Sequence, residues 1–202
     1  MKKNFWDFCA PFYDKFTAKN QAAYQQFYQL AEPAVQDKAV LELAAGTGEA
    51  ARRLAAKAQY WEATDASPQM IAIAADKNTS DKVRFAVADM FRLPYADEKF
   101  DVVIVANALH IIPEPEKALA EIRRVLKQDG LLIAPTFTHA ENNFLGKIKA
   151  FVMKLIGFPL QSKWTNCQYL NFLQSNGWQI KKSLVIKAAF PLSYAECVKQ
   201  QP

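Results

Sequence analysis

The chain has few of the residues that build metal centres and disulfide frameworks: three cysteines (Cys9, Cys167, Cys197) and two histidines (His110, His139) among 202 residues. The cysteines are odd in number, scattered and without Cys-x-x-Cys spacing, which excludes a disulfide scaffold or a cysteine zinc site and fits a reducing cytoplasm. With no dense His/Cys/Asp cluster, no metal cofactor is expected. No run approaches the ~20 apolar residues of a membrane-spanning helix. The first residues, MKKNFWDFCAPFYDKF, lack a clean apolar stretch because Asp7 and Asp14 interrupt it, so no secretory leader is expected. Internal repeats and low-complexity tracts are missing, and arginine is absent from residues 136–202.

What remains reads as one soluble domain: 51% apolar and 22% charged residues in 22.8 kDa. The net charge of +5 is unevenly placed. Residues 1–135 carry 17 basic and 18 acidic side chains, whereas residues 136–202 carry eight lysines and two glutamates. Such a lysine-bearing third can meet an anionic ligand, a membrane surface or nucleic acid, or simply face solvent. The dense arginines with interleaved aromatics that mark a nucleic-acid face are missing, so nucleic acid is not the expected partner.

Residues 1–38 read as a helical, aromatic-rich cap in which Phe5, Phe8, Phe12 and Phe16 recur every three or four positions, giving one apolar face interrupted by Pro11. A regular alternation follows. AVLEL (39–43) is a strand, AAGTG a small-residue turn and 49–59 a helix. YWEAT (60–64) is a second strand ending at Asp65, with Ser67-Pro68 opening a helix as N-cap and first position. Residues 83–88, ending at Asp89, and 100–106 are strands three and four. Residues 113–130 are a helix with Gly130 as its stop, and LLIAPTF (131–137) is strand five. Residues 141–161 suggest an amphipathic helix, 167–177 another ended by Gly177, and 178–190 with 191–199 a closing antiparallel pair. Asp101, at the start of strand four, and Tyr194 are read as structural.

Alternating strands and helices predict a parallel sheet covered on both faces, with ligands bound at the carboxyl ends of its strands. Those ends carry AAGTG, Asp65, Asp89 and Asn107, so four separate segments converge on one crevice. A glycine turn opening a helix lets a ligand approach backbone N–H groups, and an acid ending the next strand can accept both ribose hydroxyls. These features alone suit any nucleotide-binding fold. Gly46-Thr47-Gly48-Glu49-Ala50-Ala51 also satisfies a loose dinucleotide pattern, which keeps an NAD(P)-dependent oxidoreductase open.

Four segments in correct order resemble the class I S-adenosylmethionine-dependent methyltransferases, specifically the small-molecule group that includes the ubiquinone/menaquinone methyltransferase-like enzymes. They are VLELAAGTG (40–48), ATDASPQMI (63–71), VADMFRLPYADEKFDVVIVANALHII (87–112) and EIRRVLKQDGLLI (121–133). The resemblance implies a single Rossmann-like α/β domain: a mostly parallel seven-stranded sheet with a C-terminal antiparallel hairpin and helices on both faces. Residues 39–137 would be the cofactor-binding core, 138–166 a lid and 167–202 the closing helix and strands.

Carried over residue by residue, the resemblance places Glu42 beneath the methionine end of S-adenosylmethionine, with Ala44, Ala45, Gly46, Thr47 and Gly48 forming the turn around it. Asp65 would hold the ribose. Ala66 and Met70 would pack near the adenine, Asp89 would accept from its amino group, and Met90 would lie beside the ring. Ala106 and Asn107 would face the sulfonium, and Tyr13 would cover the cofactor. Ala44 replaces the first glycine of the family motif and is read as a position that needs only a small side chain.

The implied activity is methyl transfer from S-adenosylmethionine to a small, apolar or lipid-like acceptor. An aligned nucleophile and excluded water are the chief requirements, and no metal is needed. His110 is the candidate base, against the alternative of a hydrogen-bonded histidine that holds its loop. Residues 144–160 suit a lid over the acceptor, or a membrane-surface helix on an otherwise cytoplasmic protein; the family's habit of building its cap after strand five favours the lid. A nucleic-acid methyltransferase lacks support because NALH stands where an Asn-Pro-Pro-Tyr-like motif would follow strand four. A non-catalytic protein that binds S-adenosylmethionine is the remaining alternative.

Overall fold

The computed structural model describes residues 5–138 and 161–201. His139, the 144–160 segment and most of the expected lid lie outside the described residues, as does the side chain of Phe16.

Eight strands form one sheet: β1 Ala39–Leu43, β2 Tyr60–Asp65, β3 Val83–Val87, β4 Phe100–Val105, β5 Leu126–Ile133, β6 Thr136–Phe137, β7 Trp178–Ile186 and β8 Leu192–Lys199. Their order is β3-β2-β1-β4-β5-β8-β6, with β7 also paired to β8. The first five are parallel, and β8 runs antiparallel to its neighbours. The count exceeds the expected seven because Pro135 interrupts strand five. Its outer piece, β6, continues along the same partner, β8, at Thr136↔Ser193.

The sheet buries both faces, and the alternation of side chains sorts them. Leu41, Leu43, Val103 and Val105 pack on one side with Leu119, Ile122 and Val125 of α6 (Pro115–Val125 in this chain's helix order). Val40, Val102 and Ile104 pack on the other with Trp61 and with Phe27, Ala31 and Val35 of α3 (Gln21–Val35). The remaining described helices are α1 Phe5–Cys9, α2 Tyr13–Thr17, α4 Glu49–Leu54, α5 Pro68–Asp76 and α7 Asn166–Ser175.

Local sequence explains most boundaries. Ser67 accepts from the Met70 N–H at 3.1 Å and Pro68 takes the first helical position, so α5 starts where expected. Thr165 and Gln168 form a reciprocal capping box on α7, and Gly177 follows it at φ +81°. Asp101 accepts from the Ala39 N–H at 2.9 Å and from Lys127 at 2.7 Å, which ties β4 to β1 and β5 in the structural role expected of it. Tyr194 is fully buried against Phe27.

Three expectations need correction. The helix expected over 113–130 ends at Val125, and β5 starts at once. Gly130 therefore stops no helix. A Cβ there would lie 2.7 Å from the Leu126 side chain, so the glycine serves a close approach where the β4–β5 register shifts. The helix expected over 49–59 ends at Leu54 and closes in a 3-10 turn, Ala55–Lys57. The N-terminal cap is not one continuous helix, because Pro11 opens a 3-10 turn, Ala10–Phe12, between α1 and α2. The inner side carries Ala10 and Tyr13, and Phe8 and Phe12 are exposed.

Candidate functional site

The turn after β1 makes three left-handed steps in five residues: Ala44 (φ +53°), Gly46 (+56°) and Gly48 (+76°). Ala44 thus needs more than smallness, contrary to the reading from sequence. Its Cβ costs about 1–2 kcal/mol in this conformation. Neighbouring bonds hold the turn: the Ala45 N–H donates to the Thr64 carbonyl at 2.9 Å, and the Gly46 N–H to Asp65 Oδ2 at 2.9 Å. The Ser67 N–H donates to Asp65 Oδ1, also at 2.9 Å. Asp65 is therefore a clasp between the first and second strand ends. Gly48 is needed for packing, since a Cβ would lie 2.9 Å from the Phe85 ring and 3.0 Å from Ala74.

Beside this turn lies a cavity of about 260 Å³ between the carboxyl ends of β1 and β4 and helices α2 and α3. Seven of the predicted residues line it: Tyr13, Glu42, Ala44, Ala45, Thr47, Ala106 and Asn107. Gly46 and Gly48 belong to the turn that supplies Ala44, Ala45 and Thr47, and Asp65 holds that turn without itself lining the cavity. Glu42 sits in β1 on the face that otherwise carries Val40, with 3% of its surface exposed. Its Oε2 accepts from the Trp61 indole N–H at 2.9 Å. Burial pushes its carboxyl up to about 8, and the nearby Asp65 charge adds to the rise. Asp65 is also held above its ordinary value by burial, against the pull of its backbone N–H donors. Burial and the charges of Asp65, Asp14 and Glu42 push the Tyr13 phenol up to about 12.

Several contributors carry little signal in the sequence. Tyr24 and Tyr28, four apart on α3, stack at 22° in the cavity wall. Asn107, at φ +54°, donates from Nδ2 to Tyr24 Oη at 3.0 Å and accepts on Oδ1 from the Phe137 N–H at 3.2 Å. It thereby fixes α3 to the sheet. Asp14 accepts from the Thr47 hydroxyl at 2.6 Å and pairs with Lys77, while Ser67 donates to Asp7. Burial pushes the Asp14 carboxyl up, but the Lys77 and Thr47 hydrogen bonds outweigh it and the net shift is downward. Tyr13 is flagged by its motif; the ties of its neighbour Asp14, and of Asp7, come from tertiary packing alone.

Other predicted residues stand outside the cavity. Ala66 is exposed after β2, whereas Met70 is 2% exposed within α5. Asp89 is exposed and accepts from the Phe91 N–H at 2.9 Å, so it caps its own turn, and Met90 packs half-buried on the core. The pairing of Asp65 with Val87 brings these two strand ends together. His110 does not line the cavity. It is 5% exposed, its Nδ1 lies 2.8 Å from Thr136 Oγ1, and its carbonyl accepts from the Gln161 and Ser162 N–H groups. Those are the contacts of a loop-holding histidine.

The chain's similarities agree with this geometry. Residues 41–134 match the Methyltransferase domain family. A demethylmenaquinone methyltransferase of Thermotoga maritima is 39% identical over 123 residues, spanning 59% of this chain and 53% of the relative. A ubiquinone/menaquinone biosynthesis C-methyltransferase of Bordetella avium is 38% identical over 105 residues, spanning 49% of this chain and 41% of the relative. The chain thus spans about half the length of these curated relatives. Among solved structures, the complex between the Haloferax volcanii Trm112 methyltransferase activator and a methyltransferase superposes with TM-score 0.85 at 19% identity, covering both chains fully. A complex of DhpI with S-adenosylhomocysteine superposes with TM-score 0.75 at 21% identity, over 98% of this chain and 95% of that one. At such identities the structural likeness shows the fold, which is Rossmann-like. Through residues 41–134 the chain matches the Methyltransferase domain family and is similar to demethylmenaquinone and ubiquinone/menaquinone methyltransferases, and its strand order is that of a Rossmann-like fold.

Proposed function

We propose that the chain transfers a methyl group from S-adenosylmethionine to a small, apolar or lipid-like acceptor. The observation that carries this reading is the cavity walled by alanines and by Tyr13, Tyr24 and Tyr28, with the buried Glu42 carboxyl in its wall beside the Asp65-clasped turn.

The residues fit the cofactor. A carboxyl pushed up to about 8 by burial gains by ionising beside a cation, and an amino-acid ammonium or a sulfonium provides one. Asp65 accepts from the backbone N–H groups of Gly46 and Ser67, and its carboxylate keeps further acceptor capacity for a ribose hydroxyl. Ala66, Met70, Asp89 and Met90 are assigned to the adenine by family resemblance, along the strand ends next to Asp65. When bound, the cofactor supplies a sulfonium-activated methyl group for in-line transfer.

The chain's own part is to align the acceptor and keep water out. Tyr13, Thr17 and Gln21 close the cavity opposite the sheet, and Asn107 holds Tyr24 in its wall. His110 is read as holding its loop rather than as the base, because its Nδ1 lies 2.8 Å from Thr136 Oγ1 and it is not among the residues lining the cavity. The alanine and aromatic part of the wall supports an apolar acceptor, in line with relatives named for quinone methylation.

Calorimetric titration tests the reading, with S-adenosylhomocysteine as ligand and NADH and NADPH as controls. Micromolar binding of S-adenosylhomocysteine alone is expected. Preference for a dinucleotide would overturn the cofactor assignment. Binding without transfer to any of a panel of quinols, lipids and small amines would make the chain a non-catalytic binding protein.

A further inference from the structure

The helical segment that closes the cavity has two chemically different faces. On the inner one, Ala10 is buried, Tyr13, Asp14 and Thr17 line the cavity, and Asp7 and Asp14 are tied to Ser67, Thr47 and Lys77. On the outer one, Phe8 is 73% and Phe12 63% exposed, the largest exposures of any big apolar side chain among the described residues. Pro11, Lys15 and Lys19 are exposed beside them. The segment runs through α1, a 3-10 turn, α2 and a second 3-10 turn, Ala18–Asn20, and all five of these side chains are exposed along it. Both acids of α1 and α2 are paired with groups of the body of the protein, Asp14 remaining half-exposed at the edge of this surface.

We propose that this outer face of the cap docks on an anionic lipid bilayer. Adjacent phenyl rings flanked by lysines suit the boundary between headgroups and acyl chains: the rings enter it and the ammonium groups meet lipid phosphates. Neither group pays the cost of burying an acid there. Because the same segment walls the cavity, docking brings an acceptor pocket up to the layer that dissolves apolar acceptors. The surface's use in catalysis rests on the lipid-like acceptor proposed above, but its test does not.

The test is co-sedimentation of the full chain with vesicles of phosphatidylcholine alone, or of phosphatidylcholine mixed with phosphatidylglycerol. The chain is expected to partition onto the mixed vesicles and much less onto the neutral ones. The double change Phe8→Ser/Phe12→Ser should weaken partition about tenfold per ring or more. Lys15→Ala/Lys19→Ala should weaken it about fivefold per lysine. Both variants should bind S-adenosylhomocysteine as the parent does, which separates a failure of this surface from a failure of the cofactor reading. The proposal is overturned if the parent ignores anionic vesicles. It is equally overturned if the phenylalanine variant partitions like the parent, which would put the contact elsewhere, or if the rings instead form a dimer in buffer without vesicle binding.

Discussion

Replacing Glu42 by glutamine isolates the buried carboxyl with little disturbance, because the glutamine oxygen can still accept from the Trp61 indole at the site of the present 2.9 Å bond. In the folded protein this carboxyl titrates near 8, against an ordinary value of 4.5. The folded state therefore keeps a proton that the unfolded state gives up. The stability this contributes is complete below about 4.5 and is lost as pH rises through about 8. Within that window the loss is about 1.4 kcal/mol per pH unit, or roughly 3 kcal/mol between about pH 5 and pH 7. Asp65 is raised as well and adds slope of the same sign, but both proteins share it. Urea unfolding at several pH values should thus show a downward slope in the parent that exceeds the slope of Glu42→Gln. Ligand binding provides a second readout. An ammonium placed near Glu42 should expel its proton, so binding of S-adenosylhomocysteine at neutral pH should release about one proton. The binding enthalpy should then vary with the ionisation enthalpy of the buffer, and that variation should vanish in the variant. Equal pH slopes and equal buffer dependence in the two proteins would refute the assignment of a neutral, ligand-responsive carboxyl.

Other substitutions test the remaining parts of the site. Asp65→Ala removes the acceptor of the Gly46 and Ser67 N–H groups and the proposed ribose acceptor, so titration should show S-adenosylhomocysteine affinity reduced about a hundredfold or more; unchanged affinity sinks the clasp. His110→Ala should cost about 1–3 kcal/mol of stability by stranding the buried Thr136 hydroxyl, yet leave cofactor affinity intact. Lost turnover in that variant, with fold and affinity preserved, would return His110 to the chemistry. Ala44→Gly relieves about 1–2 kcal/mol of left-handed strain against ~0.4–1 kcal/mol of added unfolded-state freedom, so thermal unfolding should show a small stabilisation. Gly48→Ala adds a Cβ against Phe85 and Ala74 at φ +76° and should destabilise by about 2–4 kcal/mol.

The core was readable wherever one local rule decided the outcome. The apolar runs of β1 and β4 alternate across two buried faces, and Ser67-Pro68 opens α5 through a side-chain cap that needs no distant partner. The place of Asp65 at its strand end is legible in the sequence, whereas its bonds to the Gly46 and Ser67 N–H groups are not. Where local and distant forces compete, the sequence misleads. Gly130 follows a helical pattern, but strand pairing claims Leu126 onward and leaves the glycine a packing role. The spacing of Phe8 and Phe12 suggests burial, and Pro11 together with the Asp7 and Asp14 ties sets which side of the cap faces in. Ala44 shows a third kind of failure: its backbone angle is imposed by bonds that Ala45 and Gly46 make to β2, and no property of alanine announces it.

The same electrostatics that make Glu42 informative also separate the two nucleotide readings that the glycine turn leaves open. Charged residues lining the cavity are Asp14, Glu42 and Glu49 against Arg53, and Arg53 is already bonded to Glu49. Arg52, which donates to the Thr47 carbonyl at 2.6 Å and pairs with Glu49, and Lys77, which pairs with Asp14, are engaged in the same way. Asp65 and Glu42 raise each other's cost of ionising, and both raise that of Tyr13. A diphosphate brought to this turn would add negative charge to a wall whose charged side chains, among the described residues, are three acids and an Arg53 already bonded to Glu49. An ammonium or sulfonium would instead lower the energy of every carboxylate around it. The backbone turn alone tolerates either ligand; the carboxyl buried one strand position before its end is what favours the cationic one.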